Sequence, residues 1–339
     1  MLYRHRKNFI YMKEKLCMCA CGLLSLGLLT ACSDDEGEVA GGGYGLMAST
    51  TPSVAHAGID FPVTEIRNGN TVEFKFDYTS GKMTGCESYN EVYEFAFNPF
   101  AVTYSDNYDT ETFRNIKVNS DGFITYCELH GNSLDEEDEG YSWDYSASYA
   151  YDKDGHLVFE KCHGTDSDGE SDTYTSVYTW EDGNLIKAEE TSIYDYDGEV
   201  EEEKWITEFE YDAEKYPNPG IYYCMDVVQG SGLLYSFFFY AGMAGRTTKN
   251  IPVAYSQIDE MQYVRKFVTT GCTYNEDGSL RSVLSRSVNN DGSYGYSTSF
   301  SYGYKDYPLP ELRSSVQMAA GTKKGKLFRR LRERMEKTN

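Results

Sequence analysis

The side chains with chemical potential are few, and the clearest is a thiol. An apolar run closes on Leu29-Thr30-Ala31-Cys32, with the cysteine placed where a signal peptidase would cut. Cys32 would then become the first residue and carry fatty acyl chains of the palmitate kind. Upstream, Arg4, Arg6, Lys7, Lys13 and Lys15 form a basic region, with Met12 a second candidate start, and Leu16–Leu29 is apolar. That run is too short and too rich in small residues for a comfortable transmembrane helix. Each buried methylene contributes about 0.8 kcal/mol, and two or more chains anchor stably where one is marginal.

Signatures of other chemistry are missing. The sequence has no GxSxG, HExxH, GxxxxGK[ST] or strand-to-helix GxGxxG pattern. Past residue 31 the histidines are His56, His130, His156 and His163. Cys162 and His163 are neighbours, but adjacent strand residues point to opposite faces, so they make no nucleophile–base pair. The acidic turns Asp152-Lys153-Asp154-Gly155, Asp166-Ser167-Asp168-Gly169 and Asp195-Tyr196-Asp197-Gly198 invite calcium. None has the spacing or closing glutamate of an EF-hand, and turn formation accounts for all three. Glycoside hydrolysis needs two acids about 5–9.5 Å apart, and a chain with 54 acids nominates no pair. We therefore expect no cofactor, metal or catalytic residue.

Composition narrows the partners. Residues 1–31 hold five bases and one acid, so their removal takes the net charge from −23 to −27. Such a body repels phosphate backbones and excludes nucleic acid as a partner. Cys17, Cys19 and Cys21 leave with the signal segment, and Cys86, Cys127, Cys162, Cys224 and Cys272 remain, without a CxxC. Their spacing argues against zinc and leaves any disulfide pairing open. Most read as buried small hydrophobes.

The elements that would position functional residues are strands. Residues 32–58 are acidic, then Gly- and Ala-rich, and read as a flexible tether. Residues 59–312 read as a mainly β domain, a large curved antiparallel meander. Val72, Phe74, Phe76 and Tyr78 share one face, and Trp205, Thr207, Phe209 and Tyr211 share another, opposite Ile206, Glu208 and Glu210. A unit recurs: Tyr149-Ala150-Tyr151-Asp152-Lys153-Asp154-Gly155-His156-Leu157, Tyr178-Thr179-Trp180-Glu181-Asp182-Gly183-Asn184-Leu185 and Cys272-Thr273-Tyr274-Asn275-Glu276-Asp277-Gly278-Ser279-Leu280. Residues 116–124 are a weaker copy. Each unit reads as strand, Asp-Gly turn, strand. Two strands cannot bury their own apolar face, so the units must pair into one sheet.

Two features depart from this pattern. Leu233–Met243 is apolar on all sides and precedes Gly245; it predicts a short helix buried against the concave face, with a strand at Leu234–Tyr240 as the alternative. Residues 313–339 read as a basic amphipathic tail in which Phe328, Leu331 and Met335 share a helical face. It would dock on an anionic surface, fold back on the acidic body or remain solvated. Asp135–Glu139 reads as a solvated loop.

Ser33-Asp34-Asp35-Glu36 after Cys32 resembles the acidic export signal of Bacteroidota surface lipoproteins. Over roughly residues 70–305 the aromatic-x-aromatic-Asp-x-x-Gly-x-Leu units resemble the YD-repeat-like domains of uncharacterised lipoproteins of that type. The resemblance implies a strongly curved antiparallel sheet and no particular activity; the few irregular copies depart from the cargo-enclosing YD-repeat shells. Its address would be the outer membrane, lipid-anchored and facing outward. With 31 tyrosines and three tryptophans, Trp143, Trp180 and Trp205, exposed rings could stack on sugar faces. The expected role is non-enzymatic binding or structure, engaging a glycan or an outer-membrane protein partner. The alternative is a surface glycan hydrolase with an unrecognised carboxylate pair. A binder should show an exposed aromatic strip; an enzyme should show a pocket with converging acids.

Overall fold

Alternation becomes strand throughout the computed structural model, which describes residues 45–310 apart from 89–90, 106–107, 135–139, 197, 229–232, 260 and 262. The signal segment, Cys32, Ser33–Glu36, the run Asp135–Glu139 and the tail at 313–339 lie outside the described residues, so the expected C-terminal helix is not among the elements seen. The strands are β1 (Leu46–Met47), β2 (Val63–Asn68), β3 (Thr71–Thr79), β4 (Lys82–Ser88), β5 (Glu91–Ala96), β6 (Ala101–Ser105), β7 (Asp109–Val118), β8 (Ile124–Ser133) and β9 (Ser142–Tyr151). They continue as β10 (Leu157–Asp166), β11 (Ser171–Glu181), β12 (Asn184–Tyr196), β13 (Glu199–Glu210), β14 (Ala254–Asp259), β15 (Val264–Tyr274), β16 (Leu280–Val288) and β17 (Tyr294–Tyr304).

Each strand from β2 onward pairs antiparallel with the next, and β17 pairs back with β2 through Phe300–Asn68 and Tyr302–Ile66. The meander therefore closes into a barrel of 16 strands, so the expected curved antiparallel meander curves all the way round on itself. Closure removes the edges an open sheet would have to protect. Strand β1 joins from outside the ring, pairing with the end of β7. Turns after odd-numbered strands gather at one end, called here the plug end; turns after even-numbered strands gather at the far end.

Sixteen strands enclose more space than wall side chains fill, and the connection between β13 and β14 fills it. It carries two short helices, α1 (Tyr223–Val227) and α2 (Ser236–Tyr240), where one was expected. The helical reading of the apolar segment holds and the strand alternative does not: Phe237, Phe238, Phe239 and Tyr240 are all buried, and Gly242 and Gly245 follow with φ of 76° and 86°. Inward-facing rings meet this plug. Phe113 lies edge-on to Phe237 and Phe238, each at 5.5 Å, and Phe76 stacks on Tyr240 at 5.2 Å.

Helices this short leave many plug carbonyls without intrahelical partners. Tyrosines supply donors. Tyr78 Oη donates to the Tyr240 carbonyl at 3.0 Å, Tyr151 Oη to that of Met243 at 3.4 Å, and Tyr222 Oη to that of Gly245 at 2.6 Å.

The expected tether is shorter than 32–58. Ala48, Thr51, Val54 and Ala57 are buried, and a Cβ on Gly242 would stand 3.0 Å from Val54 Cα. Residues 45–58 thus pack against the barrel and the plug.

Most repeat turns are not two-residue hairpins either. The Asp152 amide bonds the His156 carbonyl, and the Gly155 amide bonds that of Asp152, with Gly155 at φ 86°. This is a type I turn with a left-handed glycine. Asp182-Gly183, with both φ positive (50° and 78°), is a two-residue turn.

Two strand glycines make room for rings. A Cβ on Gly131 would fall 2.0 Å from the Trp143 indole, and one on Gly164 would fall 2.1 Å from the Tyr145 ring. Gly131→Ala and Gly164→Ala should each cost about 1–3 kcal/mol by overpacking, measured by urea unfolding. Gly271→Ala, where a Cβ would meet nothing within 4 Å, should stay within about 0.5 kcal/mol of the parent. Equal midpoints for all three variants would contradict the ring-over-glycine packing.

Candidate functional site: the acidic and aromatic end of the barrel

The wall alternates in polarity along its strands. On β3, Phe76 and Tyr78 face in while Lys75 and Asp77 face out; on β12, Ala188, Glu190, Ser192 and Tyr194 face in while Lys187, Glu189 and Thr191 face out. The outer surface is thus mostly charged and hydroxylated, with Val177, Ile206, Ile258 and Val264 as apolar members of one outward row, and the inner one largely aromatic. A barrel wall in lipid has the reverse pattern, an apolar band outside and a polar lumen. Among the described residues no helix is long and apolar enough to cross a membrane.

Among the described residues, acids interrupt the apolar interior toward the far end. Register places Glu111, Gly131, Trp143 and Asp166 in one inward row, and Tyr145, Gly164, Asp172 and Tyr194 in the next. Ring donors meet the carboxylates. Trp143 Nε1 donates to Glu111 Oε1 at 3.3 Å, and Tyr235 Oη, from the plug, to Glu111 Oε2 at 3.1 Å. Tyr145 Oη donates to Asp172 Oδ2 at 3.0 Å, and Tyr141 Oη to Asp166 Oδ2 at 2.6 Å. The bare strand at Gly131 and Gly164 lets the two rings lie across and reach these acids. Exposed tyrosines gather on the same rim: Tyr108, Tyr263, Tyr294 and Tyr296 are 55, 49, 57 and 58% exposed.

A third row, Glu160, Ser176, Glu190, Trp205 and Asp259, runs deeper into the barrel. Glu160 is 2% exposed and Glu190 7%. Burial, and then the nearby Glu190 carboxylate, push the Glu160 carboxyl up to about 8, against the pull of the Tyr178 hydroxyl and the Leu234 and Leu233 amides. Burial alone pushes Glu190 up to about 7. Tyr178 Oη donates to Glu160 Oε2 at 3.3 Å, whereas Glu160 Oε1 and Ser192 Oγ are buried with no hydrogen-bond partner among the described residues. These acids went unnominated in the sequence, although Glu190 shares its parity with Ala188 and Tyr194 and so signals an inward carboxylate.

The other sequence candidates separate cleanly. Cys162 faces in and is buried; the His163 ring faces out, bonded to Thr173 Oγ1 at 3.0 Å. Asp152 spends its carboxylate on its own turn, where the amides of Asp154 and His156 and the His156 ring bond it. Burial pushes that acid up, but these bonds outweigh it and hold it below the usual range. Among the described residues no group of three or more His, Cys, Asp or Glu could hold a metal. Cys86, Cys127, Cys162, Cys224 and Cys272 form no disulfide, and all but the half-buried Cys272 are buried. Trp180 lies inside, donating to the Leu157 carbonyl at 2.8 Å and stacking on His156 at 4.3 Å.

The buried pair predicts a pH dependence. Both folded values, about 8 and about 7, lie above the ordinary 4.5. The folded chain holds these protons more tightly, so their contribution is complete below about pH 4.5 and is lost as pH rises through about 7 to 8. The parent should lose up to about 1.4 kcal/mol per pH unit for each carboxyl across that window. Glu160→Gln combined with Glu190→Gln should remove that slope in denaturant titrations; identical slopes would contradict the buried acids.

No family model and no curated protein matches this chain. Solved structures similar to it include two porin-like proteins. A porin-like protein from Bacteroides vulgatus is 14% identical with a TM-score of 0.49, covering 73% of this chain and 99% of its own. A porin-like protein from Bacteroides uniformis is 12% identical with a TM-score of 0.29, covering 77% of this chain and 100% of its own.

Proposed function

We propose that this chain is a non-enzymatic binding protein of the cell surface, a lipoprotein of the Bacteroidota type. Cys32 would hold it at the outer membrane, and the barrel would stand in water. The observation that carries the binding reading is the far end, where exposed tyrosines ring an interior of paired acids and aromatic rings. Such surfaces stack on sugar faces and donate and accept hydrogen bonds around them. Gly45 lies at the opposite, plug end beside Val118. A membrane channel would require an apolar outer wall. The outward Lys75, Lys187, Glu189 and Glu208 argue for water instead.

One observation favours a second reading, a glycan hydrolase: Glu160 and Glu190 are two buried acids with raised proton affinity, set on strands two apart. Release of new reducing ends from a bound polysaccharide would replace the binding reading with this one.

Two outcomes follow. Cys32→Ala should free the protein from the membrane fraction, and alanine at Asp34, Asp35 and Glu36 should protect it from protease added to intact cells; unchanged fractionation and cleavage would remove the surface assignment. In a screen of immobilised host and dietary polysaccharides, the chain should bind saturably, with a change in tryptophan fluorescence. Tyr294→Ala with Tyr296→Ala should weaken that binding about tenfold, near 1.4 kcal/mol; an unaltered affinity would move the site away from this rim.

A further inference from the structure

The interior acids of the far end narrow the ligand further, in a step that rests on the glycan-binding reading. Carboxylates turn inward there, among them Glu111, Asp166, Asp172, Glu203 and Asp259, above the deeper Glu160 and Glu190. Among the described residues Arg265, lying over the Tyr263 ring at 5.8 Å, is the basic side chain that the register turns to the same side. An inward face so charged repels uronates, sulfates and phosphates and concentrates cations. Charge alone makes no site, but the hydrogen bonds left open do. Glu111, Asp166 and Asp172 already have ring donors, whereas Glu160 Oε1 and Ser192 Oγ, 98% and fully buried, have none among the described residues. A buried acceptor without a donor costs about 1–3 kcal/mol, which a ligand donor would recover.

We propose that this end of the barrel takes a glycan through an unacetylated hexosamine, whose ammonium comes to rest between Glu160, Glu190 and Ser192. An ammonium brings three donors and no acceptor, which matches two carboxylates and a hydroxyl. Ser176, a small side chain, stands between the two acids in their row, and Trp205 follows Glu190 in it, where an indole face attracts a cation. Half-buried Glu203 and Trp205 lead from the rim toward the pair. Raised proton affinity fits the same picture, since a cation between the acids would replace the protons they otherwise retain.

The test is calorimetric titration of the full chain with a glucosamine hexamer, its fully N-acetylated counterpart and a hexalysine peptide. The glucosamine hexamer should bind at least tenfold more tightly than the acetylated one. Glu160→Gln, Glu190→Gln and Ser192→Ala should each erase most of that preference, while outward Glu202→Gln with Glu208→Gln should keep it. Near-infrared or near-ultraviolet spectra unchanged from the parent would show that the inner variants remain folded. Equal affinity for the two hexamers overturns this inference and leaves glycan binding standing. Absence of binding to either hexamer and to every polysaccharide of the screen overturns both. Tighter binding of hexalysine with the same dependence on Glu160 and Glu190 overturns the sugar assignment and points to a basic protein partner.

Discussion

Sixteen strands closed into a ring enclose a volume that their own side chains do not fill, and the rest of this molecule answers that constraint. Residues of the β13–β14 connection enter the ring as an aromatic plug. The plug is too irregular to satisfy its own backbone, so phenols from the wall and from the plug itself donate to its carbonyls. This explains the taste for tyrosine over phenylalanine at inward positions such as Tyr78 and Tyr151. Each ring contributes apolar area and ends in a donor placed where a carbonyl waits. The N-terminal stretch from Ala48 to Ala57 then packs over the plug, with Gly242 allowing the close approach.

The plug also shapes the far end. Tyr235 reaches Glu111, and Leu233 and Leu234 lie against Glu160, so the elements that fill the barrel also hold its acids. Where the filling stops, carboxylates and rings replace aliphatic side chains on the inward face. Burial without matched cations keeps Glu160 and Glu190 hungry for protons, the physical state that an incoming donor would exploit. The outer wall carries Lys, Glu, Thr and Ser at many of its outward positions.

Much of the strand content was legible in the sequence because alternation is a local property. Phe74, Phe76 and Tyr78 share a face in the sequence and in the barrel, whereas for Leu233–Met243, apolar all round, periodicity left helix and strand both open and the structure decides for helix. Closure was not legible, since the β17–β2 pairing joins residues at opposite ends of the chain and leaves no local signal. The turns were read correctly in place but not in type: Gly155 supplies one left-handed residue after a type I turn rather than half of a two-residue hairpin. The acid pair was half legible. Glu190 stands at an inward parity, but its nearness to Glu160 depends on how three strands align. Ala48 to Ala57 misled because small residues signal flexibility in a linker and close packing under a plug alike.

The central claim is a wet wall around a packed interior, and hydroxyl-radical footprinting of the full chain in its own membrane tests it most directly. The account predicts modification of outward Lys75, Arg114, Lys161, Lys187, Lys204 and Lys266, with Tyr149, Tyr174, Tyr178, Tyr222 and Tyr240 protected. A continuous band of protected outward residues together with modified inward tyrosines would contradict it, describing instead a wall in lipid around a water-filled lumen.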